Sequence, residues 1–151
     1  MATRQEQQST VTLRLRRTFP ARPERVFRAW TTPAEMKQWK APGPLTTPVA
    51  EVDLRPGGAY RIHMQAPDGA LHRLVGVYRI VDPPKKLVYT WRWESEPDSP
   101  ETLVTVEFLD RGNVTELVLT QELFPSEDAK QKHETGWTGC FEKLALLVQA
   151  R

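Results

Sequence analysis

Cysteine occurs once in the chain, at Cys140. A lone thiol closes no internal disulfide, so the fold must be held by its core, and a reducing compartment is expected. Long hydrophobic runs are missing as well. No apolar stretch approaches the roughly 20 residues that a membrane helix requires, and no membrane partner is expected. The opening Met1-Ala2-Thr3-Arg4-Gln5-Glu6-Gln7-Gln8 is polar and carries no hydrophobic signal region. A cytoplasmic location is expected by elimination. Charge of one sign is also scarce: 21 basic residues against 19 acidic ones leave +2. With no basic run or stripe, nothing calls for a nucleic acid or an anionic membrane surface. There is no Gly-rich loop at a strand-to-helix junction and no helical pair of metal ligands at i and i+4, so neither a cofactor nor a metal is expected.

What remains has the composition of an ordinary globular chain: 151 residues, 39% hydrophobic and 26% charged. A chain of this length buries about 68–70% of its unfolded surface, enough for a genuine core. Residues 1–9 read as a disordered polar tail and residues 10–151 as one domain.

From Thr10 the pattern acquires period. Val11, Leu13 and Leu15 alternate with Thr12, Arg14 and Arg16, the signature of a half-buried strand, which stops at Phe19-Pro20. Two short helices follow. Pro23 and Glu24 suit a first turn, with Val26, Phe27 and Trp30 on one face. Thr32-Pro33-Ala34-Glu35 predicts a reciprocal capping box opening the second, with Met36 and Trp39 facing inward. Ala41-Pro42-Gly43-Pro44 ends it. Six more strands are expected: 49–54, 59–65, 71–81, 87–94, 102–109 and 114–123. The turns Arg55-Pro56-Gly57-Gly58, Asp68-Gly69, Asp82-Pro83-Pro84 and Asp110-Arg111-Gly112-Asn113 separate them, together with a polar loop at 95–100. Short links imply antiparallel pairing.

The last segment changes period. After Pro125-Ser126, a stop and a cap, His133, Trp137, Cys140, Phe141, Leu144, Leu147 and Val148 recur at spacings of three and four. A helix from Glu127 to Gln149 would be about 34 Å long. The expected class is therefore α+β, with a curved antiparallel sheet of about seven strands wrapped around a long C-terminal helix. A sheet curved enough to grip a helix leaves space at its open end, where a pocket can form.

Four separated segments resemble a known family. They are Phe19-Pro20-Ala21-Arg22-Pro23-Glu24-Arg25-Val26-Phe27; Asp53-Leu54-Arg55-Pro56-Gly57-Gly58; Asp82-Pro83-Pro84-Lys85-Lys86-Leu87 with Thr90-Trp91; and His133-Glu134-Thr135-Gly136-Trp137 with Cys140 and Leu144. Together they resemble the activator-of-heat-shock-protein-90-ATPase homology family within the START-like (SRPBCC) helix-grip superfamily. The resemblance implies a helix-grip fold and, in many members, a hydrophobic ligand. Two positions depart from it. Arg22 stands where the family often has Ser or Thr, leaving the first helix without a good cap. Trp39-Lys40 stands where a Trp-Trp pair is common, which predicts a more polar pocket mouth.

The five tryptophans suit a core as well as a cavity, and the resemblance favours a cavity. The expected ligand-binding residues are Trp30, Trp39, Tyr60, Ile62, Met64, Leu74, Tyr78, Tyr89, Trp91, His133, Trp137 and Phe141. Their expected guest is a small hydrophobic molecule, carried without a catalytic step. His133 is followed at i+4 by Trp137, no metal ligand, and one titratable group is not a mechanism. A cyclase- or hydratase-like enzyme using His133 as acid/base is the catalytic alternative. Gly136 is expected to let the helix approach the sheet, and Cys140 to be buried and inert. Arg61 and His63 are expected on the solvated face, and His72 belongs to no cluster. A chaperone partner is the third reading, weakened because the eukaryotic activator carries an additional N-terminal domain that these residues do not include. A monomer or a homodimer through an edge strand is compatible with the pattern.

Overall fold

In the computed structural model, which describes residues 11–149 apart from Ser95, Pro97 and Ser99, β1 (Val11–Phe19) is followed by α1 (Pro23–Thr31) and α2 (Pro33–Trp39). Six strands come next: β2 (Thr46–Val52), β3 (Ala59–Gln65), β4 (Leu71–Asp82), β5 (Lys86–Trp93), β6 (Thr102–Asp110) and β7 (Thr115–Phe124). The chain then enters α3 (Glu127–Gln149). The expected tail, and part of the loop at 95–100, lie outside the described residues.

All pairings are antiparallel, in the order β1-β7-β6-β5-β4-β3-β2. The meander of β2 to β7 follows from tight turns that can only reverse the chain. β1 joins last in space, pairing Leu15 with Leu119 and Phe19 with Thr115. The sequence reading of an α+β helix-grip fold is therefore correct, with α3 at its expected bounds. No described helix is long and apolar enough to cross a membrane.

The helix starts differ in how they are capped. Ser126 Oγ accepts from the Ala129 backbone N–H at 3.1 Å and caps α3 as its sequence implies. Arg22 makes no side-chain cap to α1. The capping box expected at α2 is not formed: Thr32 makes no side-chain cap bond. Glu35 turns instead to the guanidinium groups of Arg25 at 2.6 Å and Arg28 at 3.4 Å. Charge-assisted bonds to two cations outcompete one bond to a backbone N–H, so α2 is tied to α1 rather than closed on itself.

One strand changes face partway along. Leu117, Leu119 and Gln121 point inward on β7 and are fully buried, so simple alternation would place Leu123 inside. Instead Leu123 is exposed with φ of 75°, and Phe124 is buried. Opposite Val11 and Leu13, β7 advances three residues, from Gln121 to Phe124, where β1 advances two. The extra residue is a β-bulge, which re-aims the following side chain.

The two helical glycines explain how α3 is seated. A Cβ on Gly139 would lie 3.0 Å from Pro42 Cβ, whereas one on Gly136 would meet nothing nearer than Pro42 Cγ at 3.9 Å. The close approach is thus between helix and the loop after α2, not between helix and sheet, and Gly139 carries it. Lys143 straps the same loop down, donating to the Ala41 carbonyl at 2.5 Å and the Leu45 carbonyl at 3.2 Å.

Gly136→Ala is expected to stabilise by about 0.5–1 kcal/mol, the ordinary gain in helix propensity. Gly139→Ala is expected to lose that gain, because a proline ring fixed to the backbone yields little. Urea denaturation of the pair checks this, and equal midpoints would show that the loop gives way.

Candidate functional site

The aromatic seam begins on α1 and α2. Trp30 and Trp39 meet edge to face at 4.7 Å between centroids, and the Trp39 indole N–H donates to the Ala29 carbonyl at 2.9 Å. From α3, Trp137 stacks on Trp30 at 5.7 Å and tilts against Trp91 of β5 at 5.4 Å. Its indole N–H is held by a buried polar relay. Trp137 Nε1 donates to Gln121 Oε1 at 2.9 Å, and Gln121 Nε2 donates to Thr102 Oγ1 at 2.8 Å. Gln121 is fully buried. A buried amide that satisfies its neighbours on both sides fixes one orientation of the indole.

A second aromatic group lies on the sheet. Tyr60, Tyr78 and Tyr89 pack within 5.9 Å of one another, and Tyr60 Oη donates to the Thr90 carbonyl at 2.5 Å. Burial drives the phenols of all three well above their ordinary range, so they stay neutral. Tyr60 needs glycine opposite it: a Cβ on Gly76 would fall 2.5 Å from its ring and clash with the Thr90 carbonyl oxygen.

The hollow lies between this seam and the first turns of α3. Its volume is about 670 Å³, and it runs from buried Lys40, Trp137 and Cys140 to exposed Asp128 and Lys132. Met64, His72, Trp91, Trp93, Thr102, Phe124 and His133 form its walls. Of the residues expected to bind, Met64, Trp91, His133 and Trp137 line this space. Trp30, Trp39, Tyr60, Ile62, Leu74, Tyr78, Tyr89 and Phe141 are buried in the core beside and behind it.

His133 sits among rings, with Phe124 at 4.9 Å, Trp91 at 5.3 Å and Trp93 at 6.5 Å. Burial in that setting pushes its imidazole down to about 4. The catalytic reading needs a polar partner in reach of this ring, and among the described residues it has no hydrogen bond or ion pair. Burial likewise pushes the Cys140 thiol up to about 12, partly countered by Lys40 and Lys143. A neutral thiol is a poor nucleophile.

Lys40 is the residue that sequence reasoning misplaced. Rather than edging the mouth, it is only 3% exposed. Its Nζ lies over five rings: Trp30 at 4.9 Å, Trp39 and Trp137 at 5.1 Å, Tyr89 at 5.8 Å and Trp91 at 6.0 Å. Ring faces attract a cation, yet among the described residues no carboxylate or hydrogen-bond acceptor reaches the ammonium. Burial accordingly pulls it down to about 8, with a smaller opposing influence from Cys140. Other wall residues were also missed. His72 shares a strand face with Leu74 and Tyr78, and Trp93 with Trp91 and Tyr89, so alternation could have found both. Gln121, which holds Trp137 from behind the wall, follows buried Leu117 and Leu119 in the same alternation and carried the same signal. Phe124 carried none, because the bulge that turns it inward has no glycine to mark it.

A curved antiparallel sheet gripping a long terminal helix, with a hollow at one end, defines the START-like helix-grip class of ligand-binding folds. The chain belongs to the activator of Hsp90 ATPase homolog 1-like protein family, whose model matches residues 20–149. It is 30% identical over 128 residues to the Homo sapiens activator of 90 kDa heat shock protein ATPase homolog 1, covering 85% of this chain but 34% of the human protein. The chain thus spans about a third of that relative's length. A crystal structure of a Chromobacterium violaceum protein superposes with a TM-score of 0.82 at 30% identity, covering 91% of this chain and 96% of the other. The AHSA1 protein of Silicibacter pomeroyi gives the same score at 28% identity, covering 93% and 99%.

Two pH-dependent outcomes follow from these burials. Lys40 binds its proton less readily when folded, so between about pH 8 and its ordinary 10.5 the unfolded chain holds more protons and stability rises with pH. Lys40→Met, similar in volume and free of charge, is expected to stabilise at pH 7 by about 1–3 kcal/mol, with the gain shrinking above pH 8. His133 gives the same sign lower down: stability falls as pH drops from its ordinary 6.5 towards about 4. His133→Phe should remove that part of the acid slope. Thermal melts across pH check both.

Proposed function

We propose that the protein binds and carries a small, largely apolar molecule in the hollow between β5, β7 and the start of α3, without a catalytic step. The observation that carries this reading is the hollow itself. Its volume of about 670 Å³ falls within the roughly 300–1,000 Å³ of small-molecule sites. Its walls are mostly aromatic and aliphatic, which suits a guest stabilised by about 25 cal/mol for each Å² of apolar surface withdrawn from water. The seam of Trp30, Trp39 and Trp137 fills the interior behind it and gives the guest a rigid floor. That His133 makes no hydrogen bond or ion pair among the described residues supports carriage over acid/base chemistry.

The relationship to the human activator of the 90 kDa heat shock protein ATPase supports a second reading, in which this chain touches a chaperone. Stimulation of a purified chaperone's ATPase by this protein would favour it.

The neutral dye N-phenyl-1-naphthylamine is expected to bind with a blue-shifted, enhanced emission. Ala129→Trp, which places an indole in the hollow from the first turn of α3, should weaken binding roughly tenfold or more. Unaltered dye binding in a folded Ala129→Trp protein would place the dye elsewhere and count against the hollow.

A further inference from the structure

Five rings surround the Lys40 ammonium, and four of them carry an indole N–H. Two of these donors are satisfied, Trp39 by the Ala29 carbonyl and Trp137 by Gln121. Trp30 Nε1, Trp91 Nε1 and Tyr89 Oη are buried without a hydrogen-bond partner. The ammonium itself has no acceptor or carboxylate among the described residues. Buried polar groups are normally paired, so a buried pocket end that offers a cation and the unused Trp91 N–H, with the carboxylates of Glu96 and exposed Asp128 elsewhere on the lining, is complementary to something that accepts.

Lys40 and Trp91 line the hollow directly, whereas Trp30 and Tyr89 stand behind Lys40. We infer that the ligand of this cavity is an amphipathic monocarboxylate, its carboxylate received by Lys40 Nζ at the buried end and its apolar body lying along Trp93, Phe124 and Met64. The inference rests on the carrier reading and adds the chemical class of the guest. One ammonium balances one negative charge, so a dianion would remain half compensated in a low-dielectric site. A neutral guest would leave the ammonium unanswered. Taking an anion out of water is usually expensive because both partners must be desolvated. Here the cation was desolvated when the chain folded, so only the carboxylate's share remains, offset by charge-assisted bonds of the stronger kind.

Displacement of N-phenyl-1-naphthylamine at pH 7 by three ligands of equal chain length tests this. Decanoate is expected to compete roughly tenfold or more better than decan-1-ol, and decyltrimethylammonium to fail. In Lys40→Met, the ratio between decanoate and decan-1-ol should fall to about one. Decan-1-ol matching decanoate in the wild type, or a ratio unchanged in the variant, overturns the inference while leaving the carrier reading intact. Failure of the dye and all three ligands to bind overturns both. Should the variant not fold, the order of the three ligands on the wild-type protein still decides.

Discussion

The structure depends on how one helix is seated in one curved sheet. The concave face of the sheet presents an apolar surface that only α3 is long enough to cover, and α3 meets it through Trp137. That indole is held at both ends: its ring stacks on Trp30, and its N–H is fixed by Gln121, itself anchored on Thr102. A large rigid ring with a satisfied polar edge sets the depth and rotation of the helix together. The loop after α2 completes the seat, since Gly139 admits Pro42 and Lys143 ties down Ala41 and Leu45.

This seat divides the interior in two. Towards the C-terminal half of α3, aromatic and aliphatic side chains pack together, with Phe141, Leu144 and Val148 buried. Towards its start, the sheet and helix separate and the hollow opens. The boundary between filled and open regions is the aromatic box around Lys40. Folding there accepts an unfavourable term, a desolvated cation partly compensated by ring faces. Sites built for recognition commonly carry such local cost, because an interior optimised for stability alone would have an apolar side chain in that place.

Much of the fold was legible as pattern. Period-two alternation placed the strands, and the change to spacings of three and four marked α3 at its correct ends, because both signals are repeated over many residues. The candidate site was less legible. Lys40 follows Trp39 in a short helix end and looks like a surface residue, as nearly every lysine is. Three of the five rings around it, Tyr89, Trp91 and Trp137, come from 49 or more positions away in the chain. The capping box failed for a related reason: Thr32 and Glu35 have the right spacing, but Arg25 and Arg28 compete for the carboxylate once α1 folds back. Phe124 enters the hollow only through a bulge set by pairing with β1, at the other end of the sequence.

By itself the sequence determined the secondary structure, the antiparallel meander and the helix that covers it, since hydrophobic periodicity and turn chemistry act between near neighbours and are written in consecutive residues. Tertiary structure alone decided which aromatic rings fill the core and which face open space, and that a lysine lies among them. Those outcomes depend on long-range register and on the volume left when rigid rings meet, and neither is encoded in any local window of the chain.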